Sequence, residues 1–122
     1  MKIFRVILSV VSIEEAAVFY ENLLGLAGKR VSPGRHYFDC EGVILACYDP
    51  QADGDGFNAM PNPDHVYFAT PNLDAVLERA KQLKCRELSG IETQPWGERS
   101  FYMKDLSGNP ICFVDKDTMF TG

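Results

Sequence analysis

The sequence predicts an α+β fold: two tandem βαβββ modules forming a curved mixed sheet with a central cleft. Three observations predict it. Two amphipathic helix patterns lie about sixty positions apart, an apolar strand pattern directly precedes each, and a run of short strand patterns follows each.

The first helix opens at Ser12-Ile13-Glu14-Glu15, where the serine hydroxyl suits the N-cap and Glu15, three residues on, completes a capping box. Ile13, Ala16, Ala17, Tyr20, Leu23 and Leu24 then form one apolar face, and Gly25 supplies the C-cap. In the second half Asn72 takes the capping position, and Leu73, Val76, Leu77, Ala80 and Leu83 repeat the face. Upstream, the strand at 6–11 matches the one at 66–70. Short strands are expected at 27–31, 35–40 and 43–48, punctuated by Pro33-Gly34 and Glu41-Gly42, and again at 86–88, 99–104 and 111–114, with Ser107-Gly108-Asn109 as the last turn. Residues 50–63, rich in Gly, Pro, Asp and Asn, read as a linker between module one (1–49) and module two (64–122) of a single domain.

The 122 residues, 46% apolar and 24% charged, are ordinary for a globular protein. A net charge of -5 argues against nucleic acid, whose phosphates need a basic patch. No apolar run reaches the ~18 residues of a membrane span. Arg5 and the Glu14-Glu15 pair do not suit a signal peptide, so residues 3–11 are read as a strand and the protein is expected in the cytoplasm. Cys40, Cys47, Cys85 and Cys112 show neither zinc-knuckle nor C-x-x-C spacing and are expected to be free thiols. Asp53-Gly54-Asp55-Gly56 lacks the further oxygen ligands of a calcium loop and reads as solvated linker.

Three ordered motifs carry a family resemblance. Phe19-Tyr20-Glu21-Asn22-Leu23-Leu24-Gly25 resembles an FYxxxLG signature, Gln94-Pro95-Trp96-Gly97-Glu98-Arg99-Ser100-Phe101 a PWGxRxF element, and Asp105-Leu106-Ser107-Gly108-Asn109-Pro110-Ile111 a DPxGNxI turn. By these, nearly the whole chain resembles the vicinal-oxygen-chelate superfamily of glyoxalases, bleomycin-resistance proteins and extradiol dioxygenases. The resemblance implies metal-ligand positions at Arg5, at Leu45 or Ala46, at His65 and at Cys112. Only His65 keeps a family ligand type. Arginine has no lone pair to offer, Leu45 and Ala46 are apolar, and Cys112 stands where the family carries Glu. No metal and no other cofactor is expected, and the style is closest to the metal-free bleomycin-resistance-like members.

Trp96, the only tryptophan, either stacks a planar or cationic ligand or caps the core at the sheet edge. His65 is a former ligand position, a donor to a ligand, or a satisfied buried histidine; His36, beside a Pro-Gly turn, reads as surface. Arg5, in an apolar strand, is expected either to pair with Glu41 or Asp105 or to receive an anionic group. Convergence of Arg5, His65 and Cys112 would lower the Cys112 pKa. Tyr48, Phe57, Tyr67 and Tyr102 are the aromatics retained for a ligand groove.

The functional expectation is metal-independent binding of a small molecule in an aromatic-lined cleft, as in antibiotic sequestration, by a homodimer. The alternatives are an atypical lyase, isomerase or dioxygenase of the same superfamily, and a non-catalytic interaction module.

Overall fold

The computed structural model describes residues 1–122. Its elements run β1 (Arg5–Ser9), α1 (Ile13–Leu24), β2 (Lys29–Ser32), β3 (Arg35–Cys40) and β4 (Val43–Tyr48), then β5 (Val66–Thr70), α2 (Leu73–Gln82), β6 (Glu92–Thr93), β7 (Arg99–Lys104) and β8 (Pro110–Asp115). This is βαβββ twice. The mixed sheet is present as two four-stranded sheets, ordered β1-β4-β3-β2 and β5-β8-β7-β6. In each, the first strand runs parallel to the last and the remaining pairs are antiparallel. The chain divides into two compact units, Met1–Asn62 and Pro63–Gly122. No helix is long and apolar enough to cross a membrane.

The caps form as their residue types dictate. Ser12 Oγ accepts from Glu15 N at 3.2 Å, and Asn72 Oδ1 accepts from Ala75 N at 3.2 Å. Gly25 closes α1 in the left-handed region at φ 66, donating to Glu21 O. In the first unit Tyr20 of α1 packs on Phe38 of β3, with ring centroids 6.3 Å apart, above buried Leu8 and Leu45. In the second unit Phe68, Phe113 and Phe101 form one cross-strand row of stacked rings, 5.1 and 5.4 Å between centroids. The helix lies on this side, as the pair between Arg99 on β7 and Asp74 on α2 shows.

Three expectations need correction. The strand expected at 27–31 starts at Lys29, because Gly28 lies against His36 and Phe38 so closely that a Cβ would sit 2.4 Å from His36 Nε2. No strand forms at 86–88. Lys84 (φ 52) and Glu87 (φ 51) are left-handed, which interrupts an extended run, and only an Arg86–Lys104 bridge remains. The edge strand is instead β6. His36 is half-buried rather than fully at the surface: its Nδ1 accepts from Arg30 Nε in an exposed bond, its Nε2 is buried without a hydrogen-bond partner, and burial first, then Arg30, holds its pKa below the usual value.

Candidate functional site

Strand alternation gives each sheet a helix-covered face and a helix-free face. On the helix-free face of the second unit the register aligns Tyr67, Cys112 and Tyr102 across β5, β8 and β7, with Ala69, Val114 and Ser100 in the next row. The first unit presents Ile7, Ala46 and Tyr37 in the equivalent row, flanked by Ser9, Tyr48 and Arg35. The choice left open between Leu45 and Ala46 is thereby resolved: Ala46 shares its face with Arg5, whereas Leu45 aligns with Phe38 on the other.

In the second unit Trp96 projects from a tight turn. Gly97 N donates to Gln94 O at 2.9 Å and Gln94 N to Glu98 O at 2.7 Å. Gly97 takes φ 98, which favours glycine there. The indole is 46% exposed, so it does not serve as a closed core cap. Its Nε1 donates to Glu98 Oε1 at 2.7 Å, and Phe120 N donates to Glu98 Oε2 at 3.0 Å. One carboxylate thus ties the Trp96 turn to the C-terminal segment. Between them opens a cavity of about 380 Å³ whose lining includes Tyr67, Trp96, Glu98, Val114, Met119 and Phe120.

The remaining residues singled out from the sequence fall into separate settings. His65 is exposed at the entry to β5, with its ring edge-on to Tyr102 at 5.0 Å and 6.3 Å from Tyr67. Tyr102 is half-buried and its backbone N–H donates to Ser89 Oγ. Cys112 is fully buried beneath this row, and burial pushes its thiol up to about 11 against the opposing hydrogen bonds of Ser100 and Tyr102. A lowered Cys112 pKa is expected only where Arg5, His65 and Cys112 converge; within the second unit desolvation penalises the thiolate and raises the pKa. Burial, then neighbouring Tyr102, likewise raises Tyr67.

Arg5 is also corrected. It is exposed and forms no ion pair; its guanidinium lies 5.4 Å from the Tyr37 ring centroid and 5.2 Å from that of Phe4. Exposure removes the need for the counter-charge expected of a buried arginine. Tyr48 and Phe57 belong to one cluster in the first unit. The Tyr48 hydroxyl donates to Asp55, Phe57 packs edge-on at 6.3 Å, and Arg35 covers the Tyr48 ring at 4.3 Å. The Asp55 hydrogen bond is the main reason the phenol is pushed up to about 12.

The donor types at the family's metal positions do not fit a divalent ion. Arg5 and Ala46 carry no lone pair for a metal, leaving one imidazole and one thiol. Nor does any group of three or more His, Cys, Asp or Glu side chains gather elsewhere to hold one.

Sequence reasoning missed Glu98, Ser100 and the segment 119–121. For Glu98 a signal existed, since it stands two residues past Trp96 across a turn glycine. The C-terminal segment has no periodic pattern to announce it.

Solved structures share this architecture. A glyoxalase-related enzyme from Fulvimarina pelagi superposes with a TM-score of 0.80 at 18% identity, over 100% of this chain and 93% of that one. A lactoylglutathione lyase from Agrobacterium tumefaciens gives 0.74 at 22% identity, over 98% and 97%. A glyoxalase/bleomycin resistance protein/dioxygenase from Nocardioides gives 0.69 at 24%, over 94% and 83%. These likenesses concern the fold. The sequence model of the Glyoxalase/Bleomycin resistance protein/Dioxygenase superfamily matches residues 2–113, nearly the whole chain, and the chain therefore belongs to that superfamily.

Proposed function

We propose that this protein binds and sequesters a small, partly planar organic molecule, without a divalent metal, on the helix-free face of its second unit. The observation that carries this reading is the cavity of about 380 Å³ walled by Tyr67, Trp96 and Phe120. Its size falls within the roughly 300–1,000 Å³ of small-molecule pockets. Aromatic walls supply contact area at low entropic cost. Sequestration of an antibiotic or planar metabolite is the function class; the working assembly is a homodimer, the two-fold default.

A thermal-shift screen of planar small molecules tests the reading, because a ligand that binds only the folded chain raises its melting temperature. At least one compound is expected to stabilise the protein and to perturb the fluorescence of Trp96, the sole tryptophan. Trp96→Ala should weaken that compound by about tenfold, the loss of one aromatic contact plus its buried area. Hits indifferent to Trp96→Ala would remove this cavity from consideration. Protein purified without chelator should carry far less than one equivalent of zinc, nickel, manganese or iron. Stoichiometric metal lost in His65→Ala would restore the lyase, isomerase or dioxygenase reading. Sedimentation showing only a monomer would remove the dimer.

A further inference from the structure

We propose that the preferred ligand of this cavity is an organic cation, an ammonium or guanidinium group carried on an apolar body, selected by the Glu98 carboxylate. This rests on the binding reading above and adds the charge of the ligand.

Glu98 is 9% exposed and lines the cavity. Its two oxygens accept one neutral N–H each, from Trp96 Nε1 and Phe120 N, and no lysine, arginine or histidine pairs with it. Two neutral N–H groups leave the carboxylate charge without a cationic partner. Removing a charge from water without a counter-charge is costly, and two neutral donors offset only part of that cost. The other buried carboxylates differ in setting: Asp49 and Asp105 cap backbone N–H groups within turns. Glu98, by contrast, is turned to the cavity lined by Tyr67, Trp96 and Phe120.

The walls point the same way. Tyr67, Trp96 and Phe120 line the cavity, and an aromatic ring attracts a cation by its quadrupole. No basic residue lines the cavity to repel one. The field of Glu98 reaches into the site, since its charge adds to the raised pKa of both Tyr67 and Cys112. With a net charge of -5, the chain also draws cations toward its surface.

Phenyltrimethylammonium and tert-butylbenzene have the same shape and differ by one charge, and Trp96 fluorescence follows the binding of each. The expected result is at least tenfold tighter binding of the cation to the wild-type chain. In Glu98→Gln the ratio should fall to near one, with tert-butylbenzene affinity unchanged. Should Glu98→Gln fail to fold, the wild-type chain still decides the matter: added salt should weaken the cation and leave the neutral probe alone. Equal affinities in the wild type, or equal salt dependence, overturn the cation preference while leaving small-molecule binding intact. Binding of neither probe also overturns it. In that case the Trp96→Ala effect on compounds from the planar screen decides separately whether the cavity binds ligands at all.

Discussion

The helix-free faces of the two units share a register and differ in what the chain does after the last strand. After β4, the segment beginning at Asp49 returns onto its own sheet: Asp55 takes the Tyr48 hydroxyl and Phe57 packs on its ring, while Arg35 covers the ring by a cation–π contact. Asp53 fastens the same segment, accepting from Ser32 Oγ at 2.8 Å and Gly34 N at 2.7 Å. After β8, the chain passes through a short turn at Lys116–Thr118 and is tied back at Thr118, whose Oγ1 accepts from Arg99 N at 3.0 Å, and at Phe120, through Glu98, leaving a cavity of about 380 Å³. A duplicated scaffold therefore presents two equivalent faces. The covering segment of the second unit leaves a ligand-sized cavity on its face.

The same contrast runs through the polar turns, and the largest expected effects lie there. Asp105 is buried; its Oδ1 accepts from Ser107 N at 2.9 Å and Asn109 N at 2.8 Å, and its Oδ2 from Asn109 Nδ2 at 3.0 Å. Asp105→Ala leaves these donors unsatisfied and should cost about 3 kcal/mol in urea unfolding. Asp39 holds the corresponding turn of the first unit through one exposed bond to Gly42 N, so Asp39→Ala should cost less than about 1 kcal/mol. Equal losses would break the comparison. Next in size is the residue directly after Tyr48 and Val114, the last positions of the two helix-free faces. Asp49 ties the start of α1, accepting from Ile13 N at 3.1 Å and from Ala52 N at 3.0 Å. Asp115, half-exposed, accepts from Asp117 N and faces Arg99 at 3.6 Å. Asp49→Ala should cost about 2 kcal/mol and Asp115→Ala under about 1 kcal/mol, by the same measurement.

Much of this architecture was legible in the sequence because local rules governed it. Ser12, Asn72 and Gly25 cap as their types demand, and the Asp105 turn forms around the carboxylate singled out for it. What escaped depends on tertiary contacts. Strand 27–31 was displaced by the close packing of Gly28 on His36, and strand 86–88 by left-handed backbone at Glu87. The candidate aromatics were legible as a set but not by environment. Tyr67 reaches a cavity, whereas Tyr48 and Phe57 are engaged by their own loop. Nothing in the spelling of Glu98 told that it would be buried without a cation, since that depends on Trp96 and Phe120 arriving from opposite sides.

The middle of each helix-free row gives a smaller, pH-dependent difference. Ala46 in the first unit cannot titrate, while its counterpart Cys112 is raised from 9.0 to about 11, chiefly by burial. Between those values the unfolded chain has lost the thiol proton and the folded chain keeps it. Stability from this group is thus fully present below pH 9 and is lost as pH rises toward 11. Urea unfolding across that window should show a decline that Cys112→Ala makes shallower. Tyr48, raised from 10.0 to about 12 mainly by its bond to Asp55, acts with the same sign over a higher window, which Tyr48→Phe removes. An unchanged slope in Cys112→Ala would place the thiol in contact with water.

The smallest effects are expected where the two units agree. Arg5 and His65 open equivalent strands, and each rests on the tyrosine of the neighbouring row: Arg5 5.4 Å from the Tyr37 centroid, His65 5.0 Å from that of Tyr102. Both are exposed. A solvent-facing cation–π contact is worth about 0.5–1 kcal/mol, and an exposed imidazole–phenol contact no more. Arg5→Met and His65→Ala should therefore each shift the urea midpoint by the equivalent of less than about 1 kcal/mol. Arg5→Met should also leave phenyltrimethylammonium binding unchanged, because Arg5 is not among the residues lining the cavity. The variant carries a second readout, since Arg5 has no carboxylate partner and an anion is the ligand such a guanidinium takes. If a carboxylate- or phosphate-bearing compound bound the wild type and lost its affinity in Arg5→Met, the first unit's helix-free face would hold an anion site of its own. The two units would then differ in the sign of the charge they select, and not only in how their covering segments are fastened.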